Sequence, residues 1–319
     1  MDKKVIDLLV NVVGSENILL DEPMSKHTTF RIGGPADIFV MPQDVGHIRD
    51  ILNICKENNI DYYVIGRGSN LLVGDKGYRG VVISIGNNFE QFSIEKISVE
   101  DNSDNESESS TRYIVKAQAG IMLTKLSRII ADKSLKGFEF AAGIPGTLGG
   151  AVTMNAGAYD GEIKNCIVSA TVMTSEGEVL ELDKEQLELS YRMSVIQKKE
   201  YIVLEAVFNF EVGNKEDIIN KIDDFNQRRR DKQPLEYPSA GSTFKRPEGY
   251  FAGKLIMDSG LAGYRVGDAC VSEKHCGFVI NLGKATAKDT ITLMKNVDDI
   301  VFGKYGVHLE PEVRVIGEF

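Results

Sequence analysis

Two glycine-rich turns constrain this chain more than any other feature. Gly66-Arg67-Gly68-Ser69-Asn70 follows the apolar run Tyr62-Tyr63-Val64-Ile65, and Gly143-Ile144-Pro145-Gly146-Thr147-Leu148-Gly149-Gly150 interrupts the helix and strand pattern further on. Glycine has no Cβ to hold a ligand away, so such turns let main-chain N–H groups approach a phosphate. Neither turn is a standard fingerprint. In the first, Leu71 stands where a dinucleotide turn has its third glycine, and no acid follows at the ~20-residue offset. The second lacks the Gly-Lys-Ser/Thr ending of a P-loop. Each alone is compatible with a tight turn that holds nothing. Two of them, in a chain with 31 glycines, point to a nucleotide cofactor on a fold that need not be Rossmann-like.

The order of elements is that of a mixed α and β chain. Val5, Leu8, Leu9 and Val12 predict an N-terminal amphipathic helix rather than a signal peptide, and Ile48, Ile51, Leu52 and Cys55 predict a second helix over Asp44–Asn58. Strands are expected at 62–65, 81–85 and 113–119, with a helix over Ile121–Ser134. A hairpin turning at Glu176-Gly177 and a long strand over Tyr201–Phe210 follow. Gly213–Lys215 is a natural boundary. Beyond it, a helix carrying Ile218, Ile219, Ile222 and Phe225 ends in Arg228-Arg229-Arg230-Asp231-Lys232 before Pro234. Two more helices are expected at Phe251–Ser259 and Thr286–Val301, and a short strand at Val313–Ile316. The segment Ser98–Thr111 carries five acids and no base, and is read as a solvated surface loop.

Several function classes are excluded early. Lys and Arg number 37 against 47 Asp and Glu, a formal net charge of −10; this disfavours nucleic-acid binding, which rewards clustered cations. No apolar run approaches the ~18 residues that would cross a bilayer, so no membrane insertion is expected. Four cysteines do not make a disulfide framework, which points to a reducing cytoplasm. His27, His47, His275 and His308 show no metal spacing, and Cys270 and Cys276 lack a second ligand pair, so no metal is expected. Gly241-Ser242-Thr243-Phe244 is not a nucleophile elbow, because position 244 is Phe. The arginine run at 228–230 reads either as a helix end suited to the C-terminal dipole or as a phosphate clamp.

Seven motifs taken together carry a resemblance. They are Thr28–Gly34 (TTFRIGG), Gly66–Asn70, Gly143–Gly146, Asn155–Tyr159 (NAGAY), Ser190-Tyr191-Arg192, Ala240–Pro247 (AGSTFKRP) and Leu309–Arg314 (LEPEVR). In this order the chain resembles the UDP-N-acetylenolpyruvoylglucosamine reductase family from about residue 24 to its end. The resemblance implies a cytoplasmic flavoenzyme of peptidoglycan precursor synthesis. Such an enzyme uses NADPH and non-covalent FAD to reduce the enolpyruvyl ether of UDP-N-acetylglucosamine enolpyruvate to the lactyl ether of UDP-N-acetylmuramate. No obligate protein partner is inferred.

The implied fold class is α+β or α/β, with a vanillyl-alcohol-oxidase (PCMH)-type FAD-binding domain and a smaller α+β substrate domain. The implied division is 1–212 for the FAD region (two subdomains, core about 31–212), 213–308 for the substrate domain, and 309–319 for a C-terminal segment returning to the flavin side. Val212–Gln227 is too short for the extra tyrosine loop of one family type, so the chain resembles the second type.

The resemblance also implies roles. Hydride addition to an enolpyruvyl group drives charge onto the adjacent carboxylate, where a cation and a hydrogen-bond donor lower the barrier most. Arg192 and Glu312 match these positions, Glu312 best as the neutral acid that burial favours. Ser242 matches the proton donor to the other carbon, a step that needs no histidine partner because a carbanionic carbon is basic enough to take a hydroxyl proton. The cofactor-binding set is Gly66, Arg67, Gly68, Ser69, Asn70, Gly143, Ile144, Pro145, Gly146, Gly150, Asn155, Gly157 and Ala158. Tyr191, Arg229, Lys232 and Arg246 are the expected substrate contacts. Two rivals are an oxygen-using sugar or alcohol oxidase on the same flavin fold and a non-catalytic UDP-sugar binder. The serine and C-terminal glutamate motifs disfavour the first; intact Ser242, Arg192 and Glu312 disfavour the second.

Overall fold

A computed structural model describes residues 2–99 and 110–319. The acidic segment falls outside these residues except at its ends, where Ser98 pairs with Thr111 and Val99 with Ser110 across a hairpin.

Alternating burial builds the first sheet. Its strands run in the order Ile18–Pro23, Pro35–Val40, Tyr78–Ser84, Tyr62–Ile65. The first pair is antiparallel and the other two parallel. Successive side chains of a strand point to opposite faces. Ile38, Val40, Val81 and Ile83 therefore enter one core, and Phe39 and Val82 enter another with Met24 and Leu71. The first core also takes Val5, Leu9 and Val13 from the helix Lys3–Val13, whose buried stripe ends on Val13 rather than Val12. The helix Val45–Glu57 adds Ile48, Ile51, Leu52 and Cys55; it begins where Asp44 accepts the His47 N–H at 2.9 Å.

The second sheet is antiparallel, ordered Val179–Asp183, Ile167–Met173, Ile202–Val212, Ser110–Gln118, Phe92–Val99. The helix Leu123–Asp132 packs Leu123, Leu126 and Ile130 into the same first core. Phe225, on the helix Lys215–Lys232, packs there as well. A third, smaller sheet holds Ser239–Ser242, Phe278–Asn281, Ala269–Val271 and Arg265–Val266. Its separate core is closed by the helices Ala252–Asp258 and Ala287–Tyr305. The last helix starts in a Thr286–Asp289 capping box and runs to Tyr305, past the expected Val301, until Gly306 turns left-handed at φ 67°. Finally, Arg314–Ile316 pairs parallel with Leu71–Val73, next to the first glycine turn. The chain is α+β, as expected.

Candidate active site

A cavity of about 2150 Å³ is lined by both glycine turns and by residues of all three sheets. That is roughly twice the ~1,000 Å³ upper range of ordinary small-molecule pockets. A second cavity of about 410 Å³ adjoins it, lined by Tyr191, Phe244, Arg246, Phe251, Lys274 and His275 among others. Arg192, Ser242 and Glu312 border both cavities, and among the described residues no others do.

Main-chain pairing brings these three together. Ser190 and Met193 exchange N–H···O bonds of 3.0 and 3.2 Å, which puts Tyr191 and Arg192 at the tip of a tight turn. Arg192 sits there at φ 55°, a left-handed conformation unusual for a non-glycine residue. Ser242 ends its strand, and the chain beyond it runs antiparallel to the C-terminal segment. Lys245 N donates to Glu310 O and Glu312 N to Thr243 O, both at 2.8 Å. From the other side, Asn70 Nδ2 donates to Glu312 O at 3.0 Å, and Arg314 N donates to Asn70 O at 3.0 Å. The first glycine turn is thus bonded directly to the C-terminal segment that carries Glu312.

The side chains then meet. Arg192 Nε donates to Glu312 Oε1 at 2.7 Å, with the two side chains 22% and 12% exposed. Burial raises the Glu312 carboxyl above its ordinary value, against the Arg192 charge and hydrogen bond and the Lys245 charge, which pull it down. Ser242 is exposed to the cavities. Tyr191 Oη accepts the Arg246 N–H at 3.2 Å, and the Arg246 guanidinium lies 4.0 Å from the centre of the Phe251 ring.

Of the expected cofactor-binding residues, Gly66–Asn70, Ile144–Gly146, Gly150, Gly157 and Ala158 line the larger cavity, and so does Arg229. Tyr191 and Arg246 line the smaller one. Three residues of the expected set lie elsewhere. Gly143 packs against Arg229: a Cβ there would come within 2.4 Å of Arg229 Cδ, so the Arg229 side chain would have to shift to accept one. Asn155 is fully buried and committed to the protein. Its amide donates to Glu162 and to Ser190 O, both at 3.0 Å, and its oxygen accepts the Lys164 N–H at 2.9 Å. Lys232, at the exposed end of its helix, borders neither cavity.

The cavity also gathers residues that motif reading passed over. Thr147 is buried directly opposite Gly66, whose Cβ would stand 2.1 Å from Thr147 Oγ1. Arg31 and Arg314 lie within quoted motifs and join Arg67 and Arg229 on the wall. Among the described residues none of these four has a carboxylate within ion-pairing distance, although the chain is net acidic. The signal that would have found them is a surplus of unpaired cations, which only a structure reveals. Burial lowers the Arg229 pKa, as expected for a cation without an anion beside it.

Comparison with known proteins identifies the family. A family model described as FAD binding domain matches residues 36–183, and one for the C-terminal domain of UDP-N-acetylenolpyruvoylglucosamine reductase matches 233–316. The UDP-N-acetylenolpyruvoylglucosamine reductase of Lachnoclostridium phytofermentans is 56% identical over 318 residues, covering 100% of this chain and 99% of that protein. The chain belongs to the UDP-N-acetylenolpyruvoylglucosamine reductase family. The reductase of Agathobacter rectalis is 52% identical over 95% of each chain. The crystal structure of the Thermus caldophilus reductase superposes with a TM-score of 0.75 at 31% identity, covering 93% of this chain and 97% of that one.

The residues present fit FAD. Among the described residues, the main-chain N–H groups of Arg67, Gly68, Ser69 and Gly146 donate to no protein acceptor, and all four residues line the cavity. Unpaired amides on two facing turns, with four unpaired arginines, suit a diphosphate. Apolar wall residues such as Ile65, Ile144 and Val203 suit a flat aromatic ring. The reductase family and its FAD-binding domain make the protein an FAD-dependent oxidoreductase. Among the described residues no cluster of three or more His, Cys, Asp or Glu is placed to hold a metal, and no helix is long and apolar enough to cross a membrane.

Proposed function

We propose that this chain reduces the enolpyruvyl group of UDP-N-acetylglucosamine enolpyruvate to the lactyl ether of UDP-N-acetylmuramate, with NADPH as reductant and non-covalent FAD as cofactor. Family membership along the whole chain supports the reaction. The residue assignment rests on one observation: Arg192, Ser242 and Glu312 stand at the boundary of the two cavities. Chemistry between a cofactor in the larger space and a substrate reaching in from the smaller one takes place at that boundary.

When bound, FAD would supply the redox chemistry, the transfer of a hydride equivalent from NADPH to the vinyl CH2 carbon of the substrate. The chain's own residues handle charge and protons. The Arg192 guanidinium and the neutral Glu312 carboxyl stabilise the enolate oxygens, where negative charge develops. Ser242 Oγ gives its proton to the carbon bearing the ether oxygen, completing the lactyl group, and solvent reprotonates the alkoxide. Arg229, half-buried and unpaired, binds a phosphate of the UDP-sugar or of a cofactor. Tyr191 and Arg246 form the substrate side of the smaller cavity. The unpaired amides of Arg67, Gly68, Ser69 and Gly146, on the two glycine turns, would hold the cofactor diphosphate. We place the domain change near residue 233, because Phe225 packs into the first core. We place the enzyme in the cytoplasm, where its NADPH and UDP-sugar are supplied.

The test is the absorbance spectrum of the purified protein. It should show bound flavin that NADPH bleaches anaerobically and that UDP-N-acetylglucosamine enolpyruvate restores. Restoration by oxygen alone, with none from the UDP-sugar, would identify an oxidase instead.

A further inference from the structure

Arg192 reaches Glu312 from an uncommon backbone conformation, and something must hold it there. The turn that carries it is fixed at its base by the Ser190–Met193 bonds and by Asn155, whose amide takes Ser190 O. Its other carbonyl, Arg192 O, is taken by Gln197. Gln197 Nε2 donates to Arg192 O at 3.1 Å and to Thr153 O at 2.7 Å, and Ser194 Oγ donates to the same Thr153 O at 2.7 Å. Both neighbours of the Gln197 amide nitrogen are carbonyl oxygens, which fixes which end of the amide faces them. The amide oxygen, by contrast, is buried without a hydrogen-bond partner among the described residues. An unpaired buried acceptor is costly, so the orientation of Gln197 is set by what its NH2 group does.

Resting on the catalytic reading above, we propose that Gln197 is the positioning residue of this active site: it locks Arg192 O, and with it the left-handed turn, so that the guanidinium is aimed at Glu312 and the substrate carboxylate. Gln197 contacts neither Glu312 nor Ser242 in the hydrogen-bond network, and it acts through the main chain of Arg192. Thr153, its second anchor, lies on the helix Leu148–Thr153 that follows the second glycine turn. The same amide thus ties the position of Arg192 to the cofactor wall.

The experiment compares two substitutions in the FAD-loaded enzyme. Gln197→Met keeps the length and removes both donors. NADPH-driven bleaching should stay near the parental rate, and reoxidation by the UDP-sugar should slow by about 10–100-fold, the scale of a ~1 Å misplacement. Gln197→Glu cannot donate as a carboxylate but can as the neutral acid. Measured against Gln197→Met at each pH, its reoxidation rate should therefore recover as pH falls, over and above the Glu312 dependence that both variants share. That pH profile is one a purely structural role would not produce, and it remains readable if Gln197→Met folds poorly. Arg192→Ala serves as the reference. If Arg192→Ala is slow while Gln197→Met reoxidises at the parental rate, the positioning role is overturned and the catalytic reading stands. If Arg192→Ala itself reoxidises at the parental rate, both fall. Equal slowing of the two half-reactions in Gln197→Met, or identical pH profiles for the two variants, would also overturn the proposal.

Discussion

Gly66→Ala tests how the cofactor cradle is built. The added methyl would stand 2.1 Å from Thr147 Oγ1, 3.1 Å from Thr147 Cβ and 3.2 Å from Thr147 Cγ2. Comfortable contact needs about 3.5 Å, so the oxygen must withdraw by roughly 1.4 Å. Thr147 is only 5% exposed and precedes the helix Leu148–Thr153, so the retreat is resisted by packed structure. Overpacking of this kind costs about 1–3 kcal/mol. Both residues line the larger cavity, so the two turns spread and the strain falls on the cofactor. FAD affinity should weaken by roughly 5–150-fold. Thr147→Ala removes the oxygen and the methyl and leaves only Cβ at 3.1 Å. Adding it to Gly66→Ala should restore most of the lost affinity, a coupling within the ~0.5–3 kcal/mol seen for contacting residues. FAD titration of apoprotein, followed by flavin fluorescence, gives the four dissociation constants. A double variant that binds FAD no better than Gly66→Ala would refute the clash as the cause.

Ser242→Ala should leave NADPH-driven bleaching nearly intact and slow substrate-driven reoxidation by about 10²–10⁴-fold or more, as loss of a general acid does; a parental reoxidation rate in stopped flow moves the proton donor elsewhere. Burial holds Glu312 above its ordinary carboxyl value while Arg192 pulls it down, so its neutral form is present at low pH and lost as pH rises through the folded-state value. Reoxidation should fall across that window, and in Arg192→Met, where only burial and the weaker Lys245 charge remain, the fall should move to higher pH; a shift to lower pH would contradict the assignment. Apoprotein stability owed to neutral Glu312 is complete below the unfolded carboxyl value and declines over the same rise. Arg229→Met should weaken UDP-sugar or cofactor binding about 10-fold or more, whereas Lys232→Met, outside both cavities, should change either by about twofold at most; calorimetry in which Lys232→Met has the larger effect would reverse their roles.

Much of this fold is legible in the residues because periodicity reports burial directly. Leu123, Leu126 and Ile130 predict a helix face and are buried on one. The hairpin at Glu176-Gly177 follows from apolar runs either side of a turn, and Val172 does pair with Leu180. Motifs carry less. They show which segments meet, but a motif residue can serve the ligand or the protein. Asn155 sits in a motif and spends every polar atom inside the chain. Gly143 has the Arg229 side chain where a Cβ would stand. Gln197 and Thr147 have no signature at all: an amide and a hydroxyl become informative only when two carbonyls, or a missing Cβ, are found beside them.

The electrostatics of the Arg192–Glu312 pair give the site its direction. Were Glu312 fully ionised, its charge would cancel that of Arg192, and the pair would offer little to a substrate carboxylate becoming an enolate. Burial works against that outcome by favouring the neutral acid. Whenever Glu312 is neutral, the pair presents one net positive charge and one O–H donor, and both are worth more in a shielded site than in water. Arg192 also donates from Nη2 to the Gly157 carbonyl at 3.3 Å, which helps fix the guanidinium beside Glu312. What places Glu312 in this environment is hydrogen bonding to its main chain from two sides, its carbonyl accepting from the Asn70 side-chain amide and its N–H donating to Thr243 O. The acid is therefore tuned by the depth at which the C-terminal segment is held between the glycine turn and the serine strand, as much as by the arginine beside it.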